Sequence, residues 1–353
     1  KTLLFLDEIQ ACPRAIMALR YFYEEIPDLH VVVAGSLLDF AFAEISVPVG
    51  RLHYLHVHPM TFYEYLMALG KEPMAEQSRK SPSAASQAAH EQIIDELKNY
   101  FFTGGMPECV KTWRDTTSLR TVAEVQTEIL DSYRDDFAKY TPKTDPRCLE
   151  TVLLSVAKSV GEQLKYTRLD EIHTGPTNRK SFDLLTKARI IHKISACNPS
   201  GLPLGATANP QKFKAAFLDI GLMQRLCQVP IDTEIRQTDL LAIYRGKLAE
   251  QFVAQEMLAT GSGEIFYWSR ERRASNAEVD YLLVRNGRIY PVEVKSGAAG
   301  ALRSLHLMLQ TYPESPAGLV LSSRCYSQLP EQKLIFLPLY CAASLNSEDI
   351  PGL

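Results

Sequence analysis

The stretch EVDYLLVRNGRIYPVEVK, residues 278–295, carries the strongest fold signal in the chain. Asn286-Gly287 stands between two β-rich runs, and a two-residue type I′ turn needs positive φ at both central positions. With these two as the turn, Arg285 pairs with Arg288, Asp280 falls opposite Glu293, and Glu278 falls opposite Lys295. Period-2 alternation then puts those four residues on one face and Val279, Tyr281, Val292 and Val294 on the other. Opposed carboxylates with Cβ atoms about 4.5–5.5 Å apart repel, so a compensating charge is expected. Mg2+ fits, because it takes one or two carboxylates plus water. Lys295, one pleat along, is placed to orient or deprotonate a water aimed at phosphorus. The plainer reading of the same residues is a solvated hairpin face with a Glu278–Lys295 ion pair.

Upstream, GKLAEQFVAQE (246–256) reads as a helix whose Leu248, Phe252 and Val253 pack on the sheet, leaving Glu250 free to point toward the same acids. Helix Glu250, strand Asp280, then Glu293-Val294-Lys295 resembles the PD-(D/E)XK nuclease superfamily over residues 234–322. That resemblance implies that Asp280 and Glu293 bind Mg2+, with Mn2+ as an alternative, and that Glu250 completes the metal shell. It also implies that Lys295 serves the attacking water and that DNA is the partner. Arg270, Arg272 and Arg273 beside Trp268 either contact a phosphate backbone or form a solvated loop.

At the other end, Leu3–Leu6 is a buried-strand run that delivers Asp7 and Glu8 at its carboxyl end, where α/β sheets bind ligands. A second apolar run, Val31–Ala34, ends in Gly35-Ser36, and Gly50-Arg51 precedes a third expected strand, His53–His58. Pro59, Phe62, Glu64 and Tyr65 follow, and Gly104, Gly105 and Pro107 come later. This order resembles the AAA-type P-loop ATPases, although Leu37 replaces their usual second serine. The resemblance implies that Asp7 holds Mg2+, Glu8 polarises the attacking water, and Ser36 and Arg51 contact the phosphates of ATP. It also implies self-association, since relatives form rings. No GxxxxGK[ST] occurs in the sequence. The phosphate loop is therefore expected upstream of Lys1, and the chain as given is not expected to hydrolyse ATP.

The fold class expected is multidomain α/β. Residues 1–75 read as the C-terminal half of an ATPase parallel sheet, and 76–145 as a helical lid with a flexible insertion near Glu72–Gln92. Residues 146–205 read as a winged-helix-like unit, and 206–353 as the nuclease-like α/β domain. Asn178-Arg179-Lys180 could face phosphate, or the winged unit could be a docking surface. The net charge of −3 removes any case for wholesale nucleic-acid binding, so a DNA surface must be local. Seven dispersed cysteines without a CxxC pair argue against a disulfide framework or zinc ribbon. No apolar run reaches the roughly 18 residues of a membrane span, and the cytoplasm is the default location. Two functions fit: an ATP-driven enzyme cleaving DNA, or a non-catalytic, ATP-switched module that binds DNA or protein.

Overall fold

The computed structural model describes residues 2–35, 50–79, 86–140, 144–230, 242–261, 263–272, 275–295 and 302–346. Strand β1 (Thr2–Leu6), helix α1 (Pro13–Glu25) and strand β2 (Leu29–Val33) form a parallel β-α-β unit. Pro13 starts α1, where its missing N–H costs nothing. Ile16 and Leu19 pack on Leu6, Val31 and Val33, while Leu3, Phe5 and Val32 on the alternate positions are exposed. The expected third strand at 53–58 is not a strand: among the described residues it joins no ladder. Val57 there is 96% exposed. A β-prone run becomes a strand only beside a partner, and none of the described residues supplies one.

Helix α2 (Phe62–Ala68) begins with a capping box of Thr61 and Glu64: the Thr61 hydroxyl accepts from Glu64 N–H, and Glu64 accepts from Thr61 N–H at 2.8 Å. The expected insertion is helical at its start. There α3 (Glu72–Arg79) buries Ala75 and Ser78 against the core. Residues 80–85 lie outside the described set. Three longer helices follow: α4 (Gln87–Thr103), α5 (Pro107–Thr116) and α6 (Leu119–Tyr140).

Next come α7 (Pro146–Lys158), a 3-10 turn at Tyr166–Arg168, and α8 (Gly175–Lys187). The hairpin of β3 (Ile191–Ala196) and β4 (Asn209–Phe217) closes this region, and α9 (Ile220–Leu226) follows. Then come α10 (Ala242–Thr260), β5 (Phe266–Arg272), β6 (Ser275–Arg285), β7 (Arg288–Lys295), α11 (Arg303–Thr311), β8 (Gly318–Ser322), β9 (Ser327–Leu329) and β10 (Leu334–Pro338).

The last eight strands form one mixed sheet in the order β4-β3-β5-β6-β7-β8-β10-β9. The sheet crosses the boundary expected at 205/206, because β3 pairs in parallel with β5 through Ser195–Phe266 and Ala196–Tyr267. Helix α10 covers one face in a core that runs from Phe62 to Leu345. Helix α11 covers the other, with Leu305 and Met308 against Trp268, Val279 and Val320. The architecture is thus mixed α/β, and among the described residues no helix is long and apolar enough to cross a membrane. The described cysteines are all free thiols.

Candidate functional site

Asn286 and Gly287 take φ of 50° and 70°, the left-handed pair of a type I′ turn. The register expected from them holds from Arg285–Arg288 to Tyr281–Val292. It stops one pair short of Asp280 and Glu293. There Asp280 Oδ2 accepts a hydrogen bond from the Val294 backbone N–H at 2.8 Å, so a side chain takes over where the ladder opens. On the other edge of β6 the pairing jumps from Phe266–Leu282 to Trp268–Val279, setting Asp280 and Tyr281 opposite the single residue Tyr267. This bulge breaks the expected alternation. Val279 packs with Trp268 and Leu305, whereas Tyr281, Val292 and Val294 pack on the α10 side.

The bulge turns Asp280 toward α10. Tyr281 fixes that helix by donating its hydroxyl to the Glu250 carbonyl at 3.0 Å. Glu250 comes into the same group from α10. Its carboxylate lies so close to Gly161, in the loop after α7, that a Cβ there would meet Oε2 at 2.7 Å. Glu293 is 6% exposed, and its Oε1 accepts from Lys295 Nζ at 2.6 Å while Oε2 has no hydrogen-bond partner. Burial raises the Glu293 carboxyl, reinforced by Asp280 and opposed by Lys295. Burial, followed by the Asp280 charge, likewise raises Glu250. Lys295 stays above its ordinary range: burial works against its charge, but Glu293 outweighs it.

One member of the cluster was not foreseen. Lys214, in the middle of β4, is 1% exposed and contacts the Glu278 carboxylate. Its Nζ lies 3.6 Å from Asp280 Oδ1 and 3.7 Å from Glu250 Oε2, and 5.2 Å from the Tyr267 ring centre. Burial opposes its charge, but Asp280, Glu250 and Glu278 together hold the ammonium above the usual lysine range. The Glu278–Lys295 pair of the plainer reading is replaced by Glu278–Lys214 and Glu293–Lys295. KFKAAF gives no hint of this, because a lysine in a strand ordinarily reads as solvated.

The donors are of the chemical type a hard divalent cation takes, carboxylate oxygens from three elements with Glu250 Oε2 and Glu293 Oε2 buried without a hydrogen-bond partner, although among the described residues the ligand atoms that gather within 4.8 Å of one another are those of Cys148, Asp170 and His173. The competing feature is the lysine already among them. Of the basic run, Arg273 and the side chain of Arg272 lie outside the described residues, as does Ser296 after the lysine.

At the N-terminal end, Asp7 and Glu8 are both exposed where β1 stops. Asp7 Oδ1 accepts from Glu8 N–H at 3.0 Å, and Glu8 Oε2 accepts from Gln10 Nε2 at 2.6 Å. Glu8 has φ 50°, ψ 42°, a left-handed conformation uncommon away from glycine and frequent at functional turns. Ala34 N–H to Leu6 O and Ile9 N–H to Ala34 O keep the ends of β1 and β2 side by side. Ser36 lies outside the described residues. Arg51, expected at a phosphate, is bound to Glu24 of α1 at 2.7 Å.

A buried polar chain ties the Met60–Phe62 and Gly105 segments to α9 and α10. Gly105 N–H donates to Asp219 Oδ2 at 2.6 Å, and Asp219 caps α9 through Leu222 N–H. Met60 N–H donates to Gly105 O, and the Tyr100 hydroxyl donates to Met60 O. From α10, Gln255 bonds Ile220 N–H and the Tyr100 hydroxyl, while Glu256 accepts from Phe62 N–H at 2.9 Å.

Comparison with known proteins follows these divisions in part. Residues 1–66 match the family model of an AAA domain. Residues 94–233 and 245–342 match two models described as domains of unknown function, DUF8612 and DUF4143. No curated protein matches the chain. Among solved structures, a Walker-type ATPase of Pyrococcus abyssi is similar at 12% identity and a TM-score of 0.41, over 64% of this chain. The chain spans 63% of that protein's length. Residues 1–66 are thus similar to an AAA domain, and the two regions after them match domains of unknown function.

Proposed function

We propose that the chain belongs to an ATP-dependent enzyme acting on DNA, with ATP at the Asp7, Glu8, Ser36 and Arg51 end and phosphodiester cleavage at the C-terminal hairpin. The observation that carries the second part is the convergence of Asp280, Glu293, Lys295 and Glu250 where the β6–β7 ladder opens. Mg2+ or Mn2+ bound there would polarise the scissile phosphate and lower the pKa of a bound water. Asp280 and Glu293 would hold the ion, with Glu250 completing its oxygen shell. Lys295, held as an ammonium on Glu293, would orient the attacking water and offset the charge that develops on the phosphate. Glu8 would orient a second water, at the γ-phosphate, beside Asp7. We also assign the cytoplasm and assembly with further copies to this reading.

A second reading is favoured by one observation. Lys214 already satisfies part of the acid cluster, as a scaffold without a metal would require. In that case the C-terminal domain is an ATP-switched module binding DNA or protein. Incubating the protein with plasmid, linear and branched DNA plus Mg2+ or Mn2+ separates the two. The nuclease reading expects cleavage that Glu293→Ala and Lys295→Ala each abolish. Absence of cleavage on every substrate sinks it and leaves the binding module.

A further inference from the structure

The cation at the centre of the acid cluster belongs to the protein. Lys214 Nζ touches Glu278 and lies 3.6 Å from Asp280 Oδ1 and 3.7 Å from Glu250 Oε2, so three carboxylates from two elements share one ammonium. An ion bound to the same Asp280 and Glu250 oxygens at the roughly 2.0–2.1 Å usual for Mg2+ would sit within a few ångströms of Nζ. Two such positive charges repel strongly in a buried setting. The lysine is 1% exposed, with its ammonium set among these three acids. Beside it, Glu293 Oε2 is buried without a hydrogen-bond partner, a ligand atom left open.

We propose that Lys214 is an internal competitor for the divalent cation: ammonium and metal are alternative occupants of the Glu250–Glu278–Asp280 group, and the site is closed to metal until Lys214 withdraws. This inference rests on the metal-site reading above and adds its regulation. The route for withdrawal is short. Lys214 lies on β4, and five residues later the same chain reaches Asp219, which holds Gly105 in the segment linked to Met60 and Phe62. Movement in the ATPase-side segment thus bears on the strand that carries the lysine.

The test measures metal binding, not cleavage. Free Mn2+ is followed by electron paramagnetic resonance during titration of the full chain, its Lys214→Met variant, and the Lys214→Met/Asp280→Ala double variant. Lys214→Met is expected to bind one Mn2+ at least tenfold more tightly than the wild type, and the double variant to lose that gain. Equal or weaker binding by Lys214→Met overturns the proposal, as does a gain that survives Asp280→Ala. If Lys214→Met does not fold, the wild type answers alone. Acetylation of Lys214, read by mass spectrometry, should rise as Mn2+ saturates the site, and reactivity unchanged by Mn2+ overturns the proposal. Absence of DNA cleavage by Lys214→Met, whose site is open to Mn2+, alongside a confirmed Mn2+–Lys214 competition would sink the nuclease reading and leave this one standing.

Discussion

Asp280 Oδ2 stands 2.8 Å from the Val294 backbone nitrogen, so the residue expected to hold a metal also closes the gap between two strands. Asp280→Ala therefore removes an acceptor from a buried N–H as well as a partner of Lys214. The expected cost is about 1–3 kcal/mol of stability, the range for an orphaned buried donor. Asp280→Asn keeps an acceptor oxygen and should cost less. Thermal unfolding of the two variants checks the order. Under the nuclease reading both lose cleavage, and equal unfolding midpoints would remove the structural role assigned to the carboxylate.

Glu256 predicts a pH dependence. Burial pushes its carboxyl up to about 8, partly offset by the hydrogen bond from Phe62 N–H, and its Oε2 has no hydrogen-bond partner. A carboxyl raised in the fold contributes stability that is complete below its unfolded pKa and is lost as pH rises through its folded value. Glu256→Gln keeps the acceptor for Phe62 and cannot ionise. Relative to the wild type it should gain on the order of 4 kcal/mol between pH 5 and 9. Denaturant unfolding across that range gives the difference, and parallel curves for the two proteins would contradict the assignment.

Gly105 permits no side chain. A Cβ there would lie 2.1 Å from the Met60 carbonyl oxygen, a backbone atom fixed by the Tyr100 hydroxyl. Gly105→Ala should cost roughly 3 kcal/mol or more, the upper end for overpacking. Its signature is a large fall in soluble yield and melting temperature. A melting temperature within a degree or two of the wild type would mean that the contact between these segments is looser than described.

Glu8 sits at φ 50°. A Cβ in the left-handed region costs roughly 1–2 kcal/mol that glycine does not pay. Glu8→Gly should therefore be more stable than Glu8→Ala by about 1 kcal/mol, although each removes the same carboxylate. Chemical denaturation of the pair measures it, and the reverse order would place Glu8 in an ordinary backbone conformation.

The sequence exposed what local chemistry controls. Asn286-Gly287 dictates a turn of one hand, and that turn fixes the register of every residue pair as far as Tyr281 and Val292. Thr61 and Glu64 announce a helix start because both halves of the capping box lie within one turn. Asp219 caps α9 through Leu222 N–H, three residues on, but its second bond, to Gly105, joins residues 114 apart and has no local signature. Three features depended on packing alone. The bulge at Asp280-Tyr281 answers to the neighbouring strand, and α3 forms because Ala75 and Ser78 find a surface to cover. Lys214 was hidden because its partners Glu250, Glu278 and Asp280 all come from distant parts of the chain.

Helix α10 presents Glu250 to the hairpin acids and, six residues later, Glu256 to Phe62 N–H. Those six residues rise only about 9 Å along an unbroken helix of nineteen residues. Over so short a span a hydrogen-bonded helix behaves as a stiff strut, with no give between the two carboxyl groups. A tilt or slide imposed at the Phe62 end must arrive at Glu250 almost undiminished, so the position of one acid gauges that of the other.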